Sequence, residues 1–311
     1  MNQRQEAASM IDEKIQVQNV SKTFELGGER FEALGDVSLT VRENEFITVV
    51  GPSGCGKSTL MNILAGLEEP TSGTAHVDGI EVDGPSPERG VIFQQYALFP
   101  WLTVRQNVEF GLKTAKVPAA ERRQRAQHFI DMVDLSDFAD SLPKTLSGGM
   151  KQRCAIARAY AMNPSILLMD EPFGAVDPIV REELQSELQR LQRELRKTIV
   201  FVTHDIDEAF RIGDRVAILR PGGRIAQVGT PQEILADPTD DFVASFVGAD
   251  RGARTLHVEH VDGRDVVVDA DGRAAGVLAG ADGRLGDGGA ADGDAAAGPG
   301  AEALATEERP R

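Results

Sequence analysis

Gly51-Pro52-Ser53-Gly54-Cys55-Gly56-Lys57-Ser58, followed by Thr59, stands between the apolar run Phe46-Ile47-Thr48-Val49-Val50 and the apolar stretch Leu60 to Leu67. The order is buried strand, glycine-rich loop, helix. The glycines let successive backbone N–H groups turn inward around an anion, and the helix that follows aims its positive end at the same place. The Gly-x4-Gly-Lys-Ser spacing directs Lys57 to the β- and γ-phosphates of a nucleotide and the Ser58 hydroxyl to Mg²⁺. Residues 51–59 are the candidate phosphate loop. Cys55 within it reads either as a thiol open to reagents or as an inert small side chain.

Outward from this loop the chain alternates strand and helix. Ile15 and Val17 alternate with polar residues, as do Val37, Leu39 and Val41. Ile166–Met169, Ile199–Val202 and Val216–Leu219 are further short apolar runs. Val180, Leu184, Leu188, Leu191 and Leu195 recur at helical spacing on a charged segment. Strands alternating with helices predict an α/β fold with a parallel sheet. Residues 100–163 interrupt the alternation with helical patterns (Ala119 to Val133, Lys151 to Ala161) and predict an inserted helical subdomain. The run ending at Met169 carries two acids, Asp170 and Glu171. A strand end beside a phosphate loop is where Mg²⁺ is held, which suits Asp170, and Glu171 is then placed to polarise an attacking water.

The 311 residues carry 33 Lys plus Arg against 49 Asp plus Glu, a formal net charge of −16. That excess repels a phosphate backbone and argues against nucleic acid as a partner. Two cysteines make no disulfide scaffold, and no apolar run reaches the roughly 18–20 residues of a membrane span. The last aromatic residue is Phe246, and from residue 271 onward Gly and Ala make up 22 of 41 positions. Such a segment buries too little to offset its ordering entropy. The expected organisation is an extension over 1–14, a folded body over 15–250, and an acidic Gly/Ala-rich, largely disordered tail over 251–311. A short hairpin is expected from Leu256 to Val268 around Asp262-Gly263.

Leu146-Ser147-Gly148-Gly149-Met150-Lys151-Gln152-Arg153 resembles the signature motif of ABC (ATP-binding cassette) ATPases. Five further elements resemble that family in its order. Phe24 looks like the aromatic that stacks on adenine, Gln94 like the Q-loop glutamine, Gly174-Ala175-Val176-Asp177 like the D-loop, and His204 like the switch histidine. Asp170-Glu171 is the remaining pair. Taken singly, Phe24 reads as core, Gln94 as a solvated polar residue and His204 as a surface histidine. Met150, Gly174 and Val176 stand where the family more often has Gln, Ser and Leu, and none of these removes a catalytic group.

The resemblance implies a P-loop NTPase ABC domain: a RecA-like core sheet, an antiparallel β subdomain and the helical insert. It implies an ATPase of two subunits paired head to tail. Phe24 would stack adenine, Lys57, Glu171 and His204 would act on the γ-phosphate and water, and Ser58, Gln94 and Asp170 would stand at Mg²⁺. Ser147, Gly148, Gly149 and Met150 would close on the partner's ATP, with Asp177 at the interface.

A lone cassette with only 90 positions between Lys57 and Ser147 resembles importer ATPases. These lie on the cytoplasmic face of the membrane with separate permeases and, indirectly, a solute-binding protein. Residues 82–94 and 98–108 look like the nitrate/sulfonate/taurine group, the reading preferred here. Residues 177–184 and 246–252 look like the osmoprotectant (glycine betaine) group. A permease-free soluble ABC ATPase is the other alternative. Leu98, Phe99, Trp101 and Leu102 read either as anchors for a permease helix or as core of the helical subdomain.

Overall fold

The apolar run 46–50 forms β3 (Phe46–Val50), buried at every position. A strand buried on both faces needs a layer on each side, and its alternating side chains show which. Phe46 joins a core built with helices, whereas Ile47 and Val49 join a second core built with antiparallel strands. Strands β7 (Ile166–Asp170) and β8 (Thr198–Thr203) divide in the same way. Leu167, Met169, Ile199 and Phe201 face the first core; Ile166, Leu168, Val200 and Val202 face the second. The unbroken apolar runs are thus two interleaved half-strands, one for each layer.

The computed structural model describes residues 13–174 and 176–248, and three strands beyond them. The chain divides into two units at Val247/Gly248. In the first, β3 is central in a six-stranded sheet whose other members are β6 (Arg89–Ile92), β9 (Arg215–Arg220) and β10 (Arg224–Gly229). The order is β10-β9-β3-β8-β7-β6. Strands β6, β7, β8, β3 and β9 run parallel, and β10 folds back antiparallel on β9. A four-stranded antiparallel sheet packs on one side, with β1 (Glu13–Leu26), β2 (Glu29–Arg42), β4 (Ser72–Val77) and β5 (Ile80–Glu81) in the order β2-β1-β4-β5. β1 begins at Glu13, two residues before the expected start of the body. Helix α1 (Lys57–Ala65) lies between the two sheets, burying Leu60, Ile63 and Leu64.

The insert between β6 and β7 is helical, as its periodicity predicts: α2 (Val104–Thr114), α3 (Ala119–Met132) and α4 (Gly148–Ala161). Thr103 opens α2 with a reciprocal capping box to Gln106. Beyond β7, α5 (Pro178–Leu195) buries Leu184, Leu188 and Leu191 of the predicted stripe. It is followed by α6 (Ile206–Ile212), α7 (Pro231–Ala236) and α8 (Asp241–Phe246). No helix among the described residues is long and apolar enough to cross a membrane.

The second unit holds β11 (His257–Val261), β12 (Arg264–Val268) and β13 (Ala274–Val277) in one antiparallel sheet. β11 and β12 pair from His257 with Val268 to Val261 with Arg264, while the expected turn at Asp262-Gly263 lies outside the described residues. β13 corrects an expectation: 274–277 falls in the stretch whose composition predicts disorder. An antiparallel ladder needs only backbone N–H and C=O groups, and the free edge of β12 supplies them even to small side chains. The extension 1–12 and the expectation of disorder over 278–311 lie outside the described residues.

Candidate functional site

Three parallel strands, β3, β7 and β8, end side by side, and the residue after each carries chemistry. Beyond β3 the phosphate loop runs from Gly51 to Gly56 into α1. Gly56 caps α1 with φ +92° and no side-chain hydrogen bond, so the first N–H groups of the helix face the loop without a side-chain partner. A Cβ on Gly56 would lie 2.2 Å from the Ala33 carbonyl oxygen, and one on Gly51 2.4 Å from that of Leu219. The loop is thus wedged between β2 and β9, where only glycine fits. Lys57 is 5% exposed, and its ammonium donates to the carbonyls of Gly51 (3.0 Å) and Pro52 (3.3 Å).

Asp170 ends β7 and accepts from the Ser58 hydroxyl at 3.2 Å. Burial lifts its carboxyl above the ordinary value, and the Ser58 hydrogen bond opposes the lift. Glu171 follows with φ +43°, a left-handed conformation that is uncommon for a residue with a side chain. Its N–H donates to the Val202 carbonyl (3.0 Å), which holds the strained residue against β8. The Glu171 carboxylate gathers three predicted residues: Lys57 Nζ at 3.8 Å, His204 Nδ1 at 3.2 Å and Gln94 Nε2 at 3.4 Å. Gln94, expected at Mg²⁺, bonds to Glu171 in this structure. Ser58 and Asp170 offer hard oxygen donors at one point, a donor set that fits Mg²⁺.

A cleft of about 320 Å³ opens beside the loop, lined by Phe24, Phe31, Ala33, Ser53, Gly54, Gly56, Lys57, Ser58, Thr59 and Glu171. Cys55, next to these residues in sequence, points away and is 1% exposed. Burial raises its thiol pKa against the pull of Lys57, which favours the inert reading of that residue. Iodoacetamide at pH 7.5 is expected to label the native chain at least about tenfold more slowly than free cysteine. Labelling should reach both cysteines on denaturation, since burial pushes Cys154 up to about 12. Rapid native labelling at Cys55, read by mass spectrometry, would show that the loop opens.

Ser147, Gly148, Gly149, Met150 and Asp177 do not line this cleft. Ser147 caps α4, accepting from the Met150 N–H at 3.3 Å, and Asp177 caps α5, accepting from the Val180 N–H at 3.1 Å. The two helix starts touch: a Cβ on Gly149 would stand 2.5 Å from Val180 Cγ1. Met150 packs against the helical core, and Val176 is buried in the same core. Both departures from the commoner motif are therefore apolar packing residues here. Gly174 brings its backbone close to the Gln94 amide, where a Cβ would be 3.4 Å from Nε2.

A sequence profile described as ABC transporter matches residues 34–174. An uncharacterized ABC transporter ATP-binding protein of Methanocaldococcus jannaschii is 52% identical over 217 residues, 69% of this chain and 81% of that one. The chain belongs to the family of ABC transporter ATP-binding proteins. This ABC ATPase is also 48% identical over 237 residues to the spermidine/putrescine import ATP-binding protein PotA of Thermobifida fusca, 75% of this chain and 62% of that protein. The choline transport ATP-binding protein OpuBA of Bacillus subtilis is 44% identical over 256 residues, 80% of this chain and 66% of that one. Among solved structures, the dimeric ABC transporter cassette MJ0796 superposes with a TM-score of 0.63 at 40% identity, covering 70% of this chain and 98% of its own. A second structure of that cassette is a post-hydrolysis state bound to ADP and Pi.

Three site features of the ABC ATPase escape a reading of its motifs. Phe31 lines the cleft beside Phe24. A signal for it exists, because Phe24 and Phe31 are equidistant from the Gly27-Gly28 turn and so pair across the hairpin. Asn107 is fully buried and ties down the segment 99–103 through four hydrogen bonds to backbone groups of Phe99, Leu102 and Thr103. Val180 meets the signature glycine across two elements that are distant in sequence, which no local pattern announces.

Proposed function

We propose that this ATPase energises a solute importer, working as a head-to-tail pair of copies on the cytoplasmic face of a membrane with separate permease subunits. The observation that carries the ATP chemistry is the meeting of Lys57, Glu171 and His204 at adjoining strand ends. Phe24 stacks the adenine, and residues 51–59 wrap the phosphates, with Lys57 on the β- and γ-groups. Ser58, Asp170 and Gln94 would hold Mg²⁺, which would offset phosphate charge. Glu171 orients and deprotonates the attacking water, and His204 steadies the γ-phosphate. Ser147, Gly148, Gly149 and Met150 of one copy meet the nucleotide of the other, consistent with their position outside their own cleft. Asp177 lies at the same interface. Nucleotide binding closes the pair and hydrolysis reopens it.

The permease reading is supported by a groove of about 570 Å³ on the helical insert, lined by Trp101, Leu102, Gln106, Glu109, Phe110, Lys113, Thr114 and Arg122. Trp101 is 71% exposed and Phe110 41%, and both rings contact Phe99, at 5.8 and 4.2 Å. Trp101 and Leu102 therefore suit the anchor role, whereas Leu98 packs on the core. An exposed aromatic in a rigid groove is the kind of residue that dominates a helix-in-groove contact.

For the solute, residues 82–94 and 98–108 support a nitrate/sulfonate/taurine class. Residues 177–184 and 246–252, with the similarity to a choline transport protein, support a second reading, an osmoprotectant of the glycine betaine type. The test is affinity capture of the tagged chain from detergent-solubilised host membranes. An integral membrane permease should co-purify with the wild type and be lost with Trp101→Ala, and uptake assays on that permease then separate the solute classes. A soluble homodimer with no membrane protein, in several detergents, would replace the importer reading with that of a permease-free ATPase.

A further inference from the structure

We propose that Phe31 is a second aromatic wall of the nucleotide-base site, and that with Phe24 it makes the site prefer purine over pyrimidine nucleotides. The inference rests on the reading that the cleft holds a nucleotide. Phe31 is 52% exposed on the cleft wall, a large apolar side chain left in water where burial would be favourable. Phe24 and Phe31 are direct cross-strand partners on β1 and β2, so both project from one face of the hairpin with neighbouring Cβ atoms. Among the described residues Phe31 contacts no other aromatic ring.

Phe24 is held from behind. The Lys22 ammonium lies over its ring, 5.0 Å from the centroid. It is itself pinned by the Glu68 carboxylate at 2.5 Å and the Glu69 carbonyl at 2.7 Å. Phe24 lines the cleft and Lys22 does not. The aromatic pair and the phosphate loop line the same cleft, so a ligand with phosphates on Lys57 and Ser58 has its base end beside the hairpin. A bicyclic purine reaches both rings, whereas a single pyrimidine ring covers one. Stacking on aromatic side chains is gained by any base in proportion to its face, so the discrimination comes from ring size rather than hydrogen-bond readout.

The test is direct binding by calorimetry to the full chain in EDTA, with ATP, GTP, CTP and inorganic tripolyphosphate as probes. Phe31→Ala should weaken ATP and GTP by about tenfold and CTP by less. Tripolyphosphate, which has no base, should bind as to the wild type, and Phe31→Tyr should restore the purine preference. Phe31→Ala with unchanged ATP affinity and an unchanged ATP/CTP ratio would overturn the proposal. Lys57→Ala separates the two levels. If it loses ATP and tripolyphosphate while Phe31→Ala does not lose ATP, the second wall alone is wrong. If Lys57→Ala also binds ATP normally, the cleft is not the nucleotide site.

Discussion

Glu171→Gln is expected to lower steady-state ATP turnover by about 10²- to 10³-fold while ATP affinity stays within a few-fold of wild type. The amide is close to isosteric, so the contacts to Gln94 and His204 can be kept in part, but it cannot take a proton from water. The change also removes the negative charge 3.8 Å from Lys57, leaving that ammonium fully available to phosphate. Binding without hydrolysis should accumulate the closed pair, visible as an ATP-dependent shift from monomer to dimer by sedimentation. The left-handed backbone at Glu171 does not change with the substitution, so folding stability should be unaltered. Wild-type turnover in Glu171→Gln would remove Glu171 as the base and leave His204 as the candidate.

Gly56→Ala should be the most damaging small substitution in the loop. Its φ of +92° costs an L-residue about 1–2 kcal/mol. The new Cβ would also meet the Ala33 carbonyl oxygen at 2.2 Å and Leu34 Cδ2 at 2.7 Å. The carbonyl is strand backbone and cannot rotate aside, so the total is expected near 3 kcal/mol or more. The melting temperature should fall by about 6–10 °C, with nucleotide binding lost because Lys57 follows directly. Gly54→Ala is the internal control. It has φ +79° but open space around the added methyl, so it should carry the conformational cost alone, about a third to a half of the effect. Equal melting temperatures for the two variants would mean that β2 yields and the clash is not real.

The strands of the parallel sheet were legible because burial on both faces leaves continuous apolar runs, as at Phe46–Val50 and Ile199–Val202. β4 and β6 left no such trace. Ser72–Val77 is exposed over its first residues, and Arg89–Ile92 is an edge strand of four residues, so neither needs a long apolar pattern. The motif residues could be named in sequence because their spacing is local: Lys57 follows its glycines and Glu171 ends its strand. What could not be read was which of them meet. That Gln94 bonds to Glu171, or that Val180 fills the space above Gly149, depends on how α4, α5 and β6 are stacked, and the responsible residues are tens of positions apart. Phe31 is intermediate, since its place follows from counting outward from a turn.

The helical insertion leaves the sheet after β6 and returns as β7, and those two strands are adjacent and parallel, in register from Arg89 with Ile166 to Ile92 with Met169. Both ends of the excursion are therefore clamped side by side whatever lies between them. Glu171 is placed by the ladder from β7 to β8, which ends with Asp170 opposite Val202, and no helix of the insertion takes part in that ladder. Recombination with crossovers after Gln94 and before Ser147 would exchange the groove bearing Trp101 for another while keeping Gln94, Glu171 and the start of α4 in place. In such a lineage what docks in that groove and the chemistry of the nucleotide are separately heritable.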